Sequence, residues 1–460
     1  MATITQQRRE QDQQWKRQKR LAKRKKKDKP SLSMYKFTRS RSLAPCQDPR
    51  SLLLQATRSW TTSLQCQTPV RLEGPPGSHA LKTNRLAFDH GTGQCTMASL
   101  DGRLVRYSYQ CDPFFTAWPC SAASWSVDAQ VTSMQYGPIY TLSSQQQVQP
   151  ILGCTMGSGP TNPNRLWRYL LPLPEPLTED QADQLWQHRS DSTAVQLEPQ
   201  RVAPIVDPVL LPEPLWDSSF AVGRDTFWCS HWSPAHNVIL VGSTRHLTVL
   251  SSGFDMLARI SSSSEVFATS QSSSQPSLAW VGCRNGKLSA ADRRVRASFV
   301  LHFRHRTAIT HLRPMDDWHS GHDLLAASMD GQLSLWDRRF PKTPTRSLQD
   351  HQNEHTRDLG FDVDVTDTFT VAMAGNDHRV RIWSLLDHQP TVMPSWTSPA
   401  LSGAVPSVSL LANPPPIQPA WSHLIPDIQN ARAGRRPGLL ICSQHPHAES
   451  PSLNWYTIRS

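Results

Sequence analysis

Residues 326–339, AASMDGQLSLWDRR, decide the fold of this chain. Small residues and the alternating pair Leu333 and Leu335 flank Asp330-Gly331, and Trp336-Asp337 closes the segment. Alternation on both sides of a tight-turn dipeptide predicts two short strands joined as a hairpin, which needs neighbours to be stable.

Two related stretches supply them: VGCRNGKLSAADRR at 281–294 and VAMAGNDHRVRIWSL at 371–385. Gly286 to Gly331 is 331 − 286 = 45 residues, and Trp336 to Trp383 is 383 − 336 = 47. A recurrence of roughly 40–45 residues ending in Trp-Asp is the signature of a four-stranded propeller blade. The expectation is therefore an all-β, seven-bladed WD-repeat β-propeller, with these stretches in blades four, five and six.

Residues 85–89 and 95–109, with Asp101-Gly102 at the turn, read as the first blade. Residues 131–136, 151–156 and 165–170 read as a looser second, and 227–250 as the third. Residues 405–411, 439–443 and 453–458 are expected to make the seventh. The Pro- and acid-rich segment 172–214 and the Pro-rich 413–426 read as insertions.

The net charge of +11 is unevenly placed. Residues 1–45 carry 15 Lys and Arg against three acids, 15 − 3 = +12, which leaves 11 − 12 = −1 for the rest. The domain plan is a disordered or transiently helical basic tail over 1–45, a linker over 46–82 and the propeller over 83–460. Lys23, Arg24, Lys25, Lys26 and Lys27 are the densest cluster of the tail, a candidate nuclear-import signal or polyanion contact that makes RNA a candidate partner. The nine cysteines lack C-x-x-C spacing, and no run approaches the ~18 apolar residues of a membrane helix. A reduced setting in nucleus and cytoplasm, with no membrane, is expected.

His305, Ser328, Asp330 and Trp336 form a candidate structural network in blade five, expected to run carboxylate to imidazole to hydroxyl to indole. His351, Asp377 and Trp383 are its counterpart in blade six, with Ala374 in the serine position. Ser328 sits in a strand without a glycine elbow, so this set does not read as a catalytic triad. The clusters His311, His319, His322 and Cys442, His445, His447 are not read as zinc ligands, and their histidines are read as surface or loop residues. Neither a phosphate loop nor a pair of catalytic carboxylates is recognisable, so no enzyme activity and no cofactor are expected.

Two neighbouring blades end in Asp-Arg-Arg, at 292–294 and 337–339, again 337 − 292 = 45 residues apart. Arg294 and Arg339 should emerge on one face, each held by its strand-end aspartate, Asp292 or Asp337, and offer forked donors to a partner. This pattern resembles the WD-repeat substrate receptors of the cullin-4 ubiquitin ligase, the adaptor- and cullin-4-associated factors, and more narrowly their fourth member. GCRNGKLSAADRR, AASMDGQLSLWDRR, DHQNEH and AGNDHRVRIWSLLD carry the resemblance in order and spacing. It implies a non-enzymatic receptor in protein ubiquitination, with these four residues facing the ligase adaptor of the cullin-4 complex and an unidentified protein client bound elsewhere. The alternative is a nuclear or nucleolar scaffold in RNA or ribosome assembly.

Overall fold

The protein is described here from a computed structural model. It describes residues 54–55, 64–66, 70–71, 83–89, 94–111, 117–157, 164–173, 214–221, 225–294, 299–316, 321–340, 342–365, 368–411, 438–443 and 452–458. Lys23 to Lys27, most of 172–214 and all of 413–426 lie outside these residues. The strands belong to the unit Thr57–Ser460.

Each repeat folds as its alternation requires. In blade 5, Ile309–Met315, Asp323–Ser328, Leu333–Asp337 and Arg346–Leu348 pair antiparallel in that order. Leu324, Ala326 and Trp336 pack against Trp280, Leu288, Ala290 and Phe303 of blade 4. The sheets thus bury apolar side chains against the next blade, and similar clusters join blades 1 and 2, 2 and 3, and 3 and 4.

Polar staples also join successive blades. Asn84 Nδ2 donates to the Val131 carbonyl at 2.8 Å, Thr132 Oγ1 to Phe227 O at 3.0 Å, and Cys229 Sγ to Val266 O at 3.6 Å. Ser272 Oγ donates to Asp316 at 2.7 Å, and the His355 amide to Met329 O at 2.9 Å. In blades 1 to 5 the innermost strand carries a register shift near its start, beside Asn84, Thr132, Trp228, Phe267 and Thr310. Such bulges turn a strand's polar groups sideways, here toward the adjoining blade.

The seven-bladed expectation requires correction, because among the described residues six blades are repeat units each drawn from one run of chain. They span 83–126, 130–220, 227–261, 266–304, 309–348 and 361–397. What was expected as a seventh repeat supplies just three strands, Ser407–Leu411, Gly438–Ser443 and Ser452–Ile458, to a composite closing sheet. Leu64–Cys66 pairs with its last strand, Leu64 opposite Ile458, and Val70–Arg71 pairs with the same strand. Both short strands lie in the segment read as a linker. An open edge at 452–458 would otherwise expose its unpaired backbone, and borrowing a strand from the far end of the chain removes it. The blades are also not uniformly four-stranded: Thr391–Val392, after blade 6 has begun, adds parallel to Arg346–Leu348 of blade 5.

Candidate functional site: the rim of two adjacent blades

Asp292 ends the strand Lys287–Asp292 and Asp337 ends Leu333–Asp337, the third strands of blades 4 and 5. Each stands opposite the first residue of the strand before it, Leu278 or Asp323, so both aspartates leave their sheets at the same edge. The chain turns there because the carboxylate caps it. Asp292 Oδ1 accepts from the Arg294 amide at 2.9 Å and from Arg294 Nε at 3.0 Å, and Oδ2 accepts from Nη2 at 2.6 Å. Asp337 does the same for Arg339, at 2.9, 3.0 and 2.7 Å.

These bonds hold both carboxyls below the usual carboxylate range and raise both guanidiniums, so the pairs stay ionised. Yet the arginine side chains remain 75% and 52% exposed. They are fixed in direction while much of their surface remains open, an arrangement suited to a partner's carboxylates or carbonyls.

The middle arginines have another task. Arg338 is buried, pairs with Asp316 at 2.9 Å, donates to the Gly321 carbonyl and lies over the Trp280 ring of blade 4. Arg293 Nη2 donates to Pro276 O at 2.8 Å. Within each Asp-Arg-Arg, then, the first guanidinium braces the fold and the second faces outward. A small cleft between the two blades has both Asp292 and Arg339 in its lining.

Residues 206–414 match the family model described as the DDB1- and CUL4-associated factor 4 beta-propeller domain, a span that includes both motifs. The chain resembles a DDB1- and CUL4-associated factor. No curated protein matches it. Among solved structures, Raptor of Chaetomium thermophilum is similar over 90% of this chain, at 10% identity and a TM-score of 0.54. This chain spans 31% of that one, and at such identity the likeness concerns the fold alone.

Within the factor-4-like span, the blade 5 network is present in a different order from the one expected. Ser328 Oγ donates to Asp330 Oδ1 at 2.6 Å and lies 3.2 Å from His305 Nδ1, and Trp336 Nε1 donates to His305 Nε2 at 3.2 Å. The hydroxyl gives its proton to the carboxylate, so Nδ1 donates to the hydroxyl and Nε2 accepts from the indole. That assigns a neutral imidazole, in keeping with burial pushing its pKa down to about 4.

In blade 6 the counterpart does not assemble. Trp383 Nε1 donates to Gln349 O at 2.9 Å, and His351 lies 3.2 Å from both Gly331 O and Ala374 O. Arg381 takes Asp377 at 2.7 Å and also Asp350 at 3.0 Å. Ala374 has no hydroxyl to link the ring to the turn, and the buried guanidinium claims the carboxylate.

One cluster near the inner strands carried no recognised sequence signal. Arg85 and Arg357 share Asp358, and Arg357 lies over Trp228 and Phe267 at 5.1 and 5.5 Å. His311, read from the sequence as a surface or loop histidine, lies instead within the strand Ile309–Met315 and stacks beside Phe361 at 4.9 Å, with burial and then Arg85 lowering its pKa to about 3. Burial and Arg313 together hold His231 near 4. Of the histidines weighed as ligands, His319, His445 and His447 lie outside the described residues.

Proposed function

We propose that this protein is a substrate receptor of a cullin-4 RING ubiquitin ligase, docking on the ligase adaptor DDB1 through Arg294 and Arg339. The observation that carries the reading is the pair of aspartate-clamped, outward guanidiniums on adjacent blades, inside the span that matches the DDB1- and CUL4-associated factor 4 domain. Two fixed cations of equal geometry give a partner both charge and register, and charge-assisted forked bonds are strong enough to anchor it. The protein itself supplies no chemistry in this role. It holds a client while other subunits transfer ubiquitin.

The test is affinity purification of the full chain from cullin-4-containing cells, beside the double variant Arg294→Ala, Arg339→Ala. The wild type should recover DDB1 and cullin-4 while the variant loses them and keeps its melting temperature. Equal recovery by both, or recovery by neither, refutes the assignment.

A second reading draws on the +12 charge of residues 1–45. A basic arm of that density supports nuclear import through Lys23 to Lys27 and contact with RNA, and a nuclear scaffold would use both.

A further inference from the structure

Asp292 closes the strand Lys287–Asp292 on the rim, and Lys287 opens it at the opposite end, about 17 Å away at 3.4 Å per residue. Lys287 stands directly opposite Arg304 in the register of the third and fourth strands of blade 4, and both residues are exposed. Like charges on directly opposed residues repel, so the pair costs the sheet stability that a neutral pair would not.

Lys287 and Ala291 share a side of their strand, and Ala291 packs among Val249 and Ile260 at the seam with blade 3. Further cations gather there. Arg245 lies in the turn between Val238–Ser243 and His246–Ser251 of blade 3, its carbonyl accepting from the Ser262 amide in the connection to blade 4. Arg284 and Arg306 lie close to Lys287 and Arg304 in the chain. Arg245, Arg259, Arg284, Lys287, Arg304 and Arg306 stand against Asp225, Glu265 and, in the next turn of blade 5, Asp330, 6 − 3 = +3. Those carboxylates are already engaged: Asp225 with Arg259 at 2.6 Å, Glu265 with Arg284 at 2.9 Å, and Asp330 with the Ser328 hydroxyl at 2.6 Å. Among the described residues Arg245, Lys287, Arg304 and Arg306 are exposed and have no carboxylate partner, and Arg284 keeps 63% of its side chain open.

Four unpaired cations on one seam call for anionic groups from outside. The surroundings favour carboxylates over a nucleic-acid backbone. Exposed large apolar side chains stand elsewhere, at Leu100, Tyr140, Trp216, Met256 and Phe340 among others, so no exposed aromatic ring of the described residues lies beside these cations for a base to stack on.

We propose that this seam of blades 3 and 4 binds an acidic segment of a protein, rich in aspartate and glutamate, on the face opposite the adaptor rim. The binding surface stands on its own charges; that the bound segment belongs to a client for ubiquitylation rests on the receptor reading. With the two sites at opposite ends of one strand, the client face stays open while the rim is occupied. Attraction by unpaired surface cations also makes the encounter fast and salt-dependent.

Carbodiimide coupling on the full chain tests it, with deca-glutamate as the probe. The reagent joins a glutamate carboxylate to a lysine amine held against it, and mass spectrometry reports which lysine reacted. Lys287 should couple about tenfold more than Lys342, an exposed lysine beyond the blade 5 rim. Arg304→Gln, Arg306→Gln leaves the Lys287 amine in place and should bring its coupling down to the Lys342 level, with a melting temperature equal to or above that of the wild type. Among competitors of the same length, oligouridine should suppress the coupling less than oligo-aspartate does.

Lys287 coupling no greater than that of Lys342, coupling undiminished in the double variant, a lowered melting temperature, or oligouridine competing as well as oligo-aspartate overturns the proposal. The receptor reading is scored apart from it: Arg304→Gln, Arg306→Gln should recover DDB1 as the wild type does, and Arg294→Ala, Arg339→Ala should couple normally at Lys287. If the wild type recovers no DDB1, the receptor reading falls and the coupling result alone decides the seam.

Discussion

At Gly331 the backbone turns with φ of +81°, and an added Cβ would stand 2.6 Å from the carbonyl oxygen of His351. Gly286, with φ of +79°, meets the His305 carbonyl in the corresponding turn of blade 4. The Asp-Gly and Asn-Gly hairpins are thus seated on the histidine-bearing segment that follows their blade's fourth strand, and glycine is needed for both its conformation and its size. Gly331→Ala should cost about 1–3 kcal/mol, read as a lower urea midpoint at unchanged slope. His305 yields a pH prediction. Its folded pKa, about 4, lies below the usual 6.5, so the unfolded chain binds the proton first. The stability it contributes is complete above pH 6.5 and is lost as pH falls toward 4, and His231 acts in the same direction. Urea midpoints should therefore drop from pH 7 to pH 5, and His305→Gln should show a shallower drop. Sequence spacing identified the members of the blade 5 set but not their order, because who donates to whom depends on angles inside a twisted sheet. It failed for blade 6 because Arg381, four residues beyond Asp377, was not weighed as a rival for that carboxylate.

The strands of blades 3 to 6 were legible from alternation and turn residues, since each third strand carries its own apolar face. The closing strand was not. Leu64–Cys66 has three residues, too few for a period, and its meaning lies in a partner at the other end of the chain. Thr391–Val392 was hidden for the same reason: a two-residue parallel pair has no pattern, only a position. Leu64 is buried with Val380, Ile382, Val408, Leu439 and Tyr456, so the strand contributes core as well as backbone bonds. Leu64→Ala should cost about 2 kcal/mol or more. A chain starting at residue 57 should melt like the full protein, whereas one starting at residue 73 should melt lower and over a broader range, by differential scanning calorimetry. The rim motif was the most readable part of the candidate site, because an aspartate two residues before an arginine forms a local ring that needs no distant partner. The cleft beside it was unreadable, being bounded by residues of two blades.

For the molecule as a whole, charge is divided between a basic segment and a body close to neutral. If residues 1–45 touch RNA, binding should weaken steeply from low to physiological salt through counterion release, and should vanish when they are deleted. DDB1 recovery should survive that deletion, since the rim is far along the sequence. Filter binding with a generic single-stranded RNA and the affinity purification above separate the two activities. Pairing Leu64 with Ile458 joins two backbones that lie 458 − 64 = 394 positions apart in the sequence. During synthesis the earlier blades emerge in turn, but the ring has no latch until residue 458 has been added. Stalled or prematurely released chains will consequently present an unsealed edge to quality-control factors, and tags fused close behind residue 458 will hinder maturation more than tags placed before residue 57.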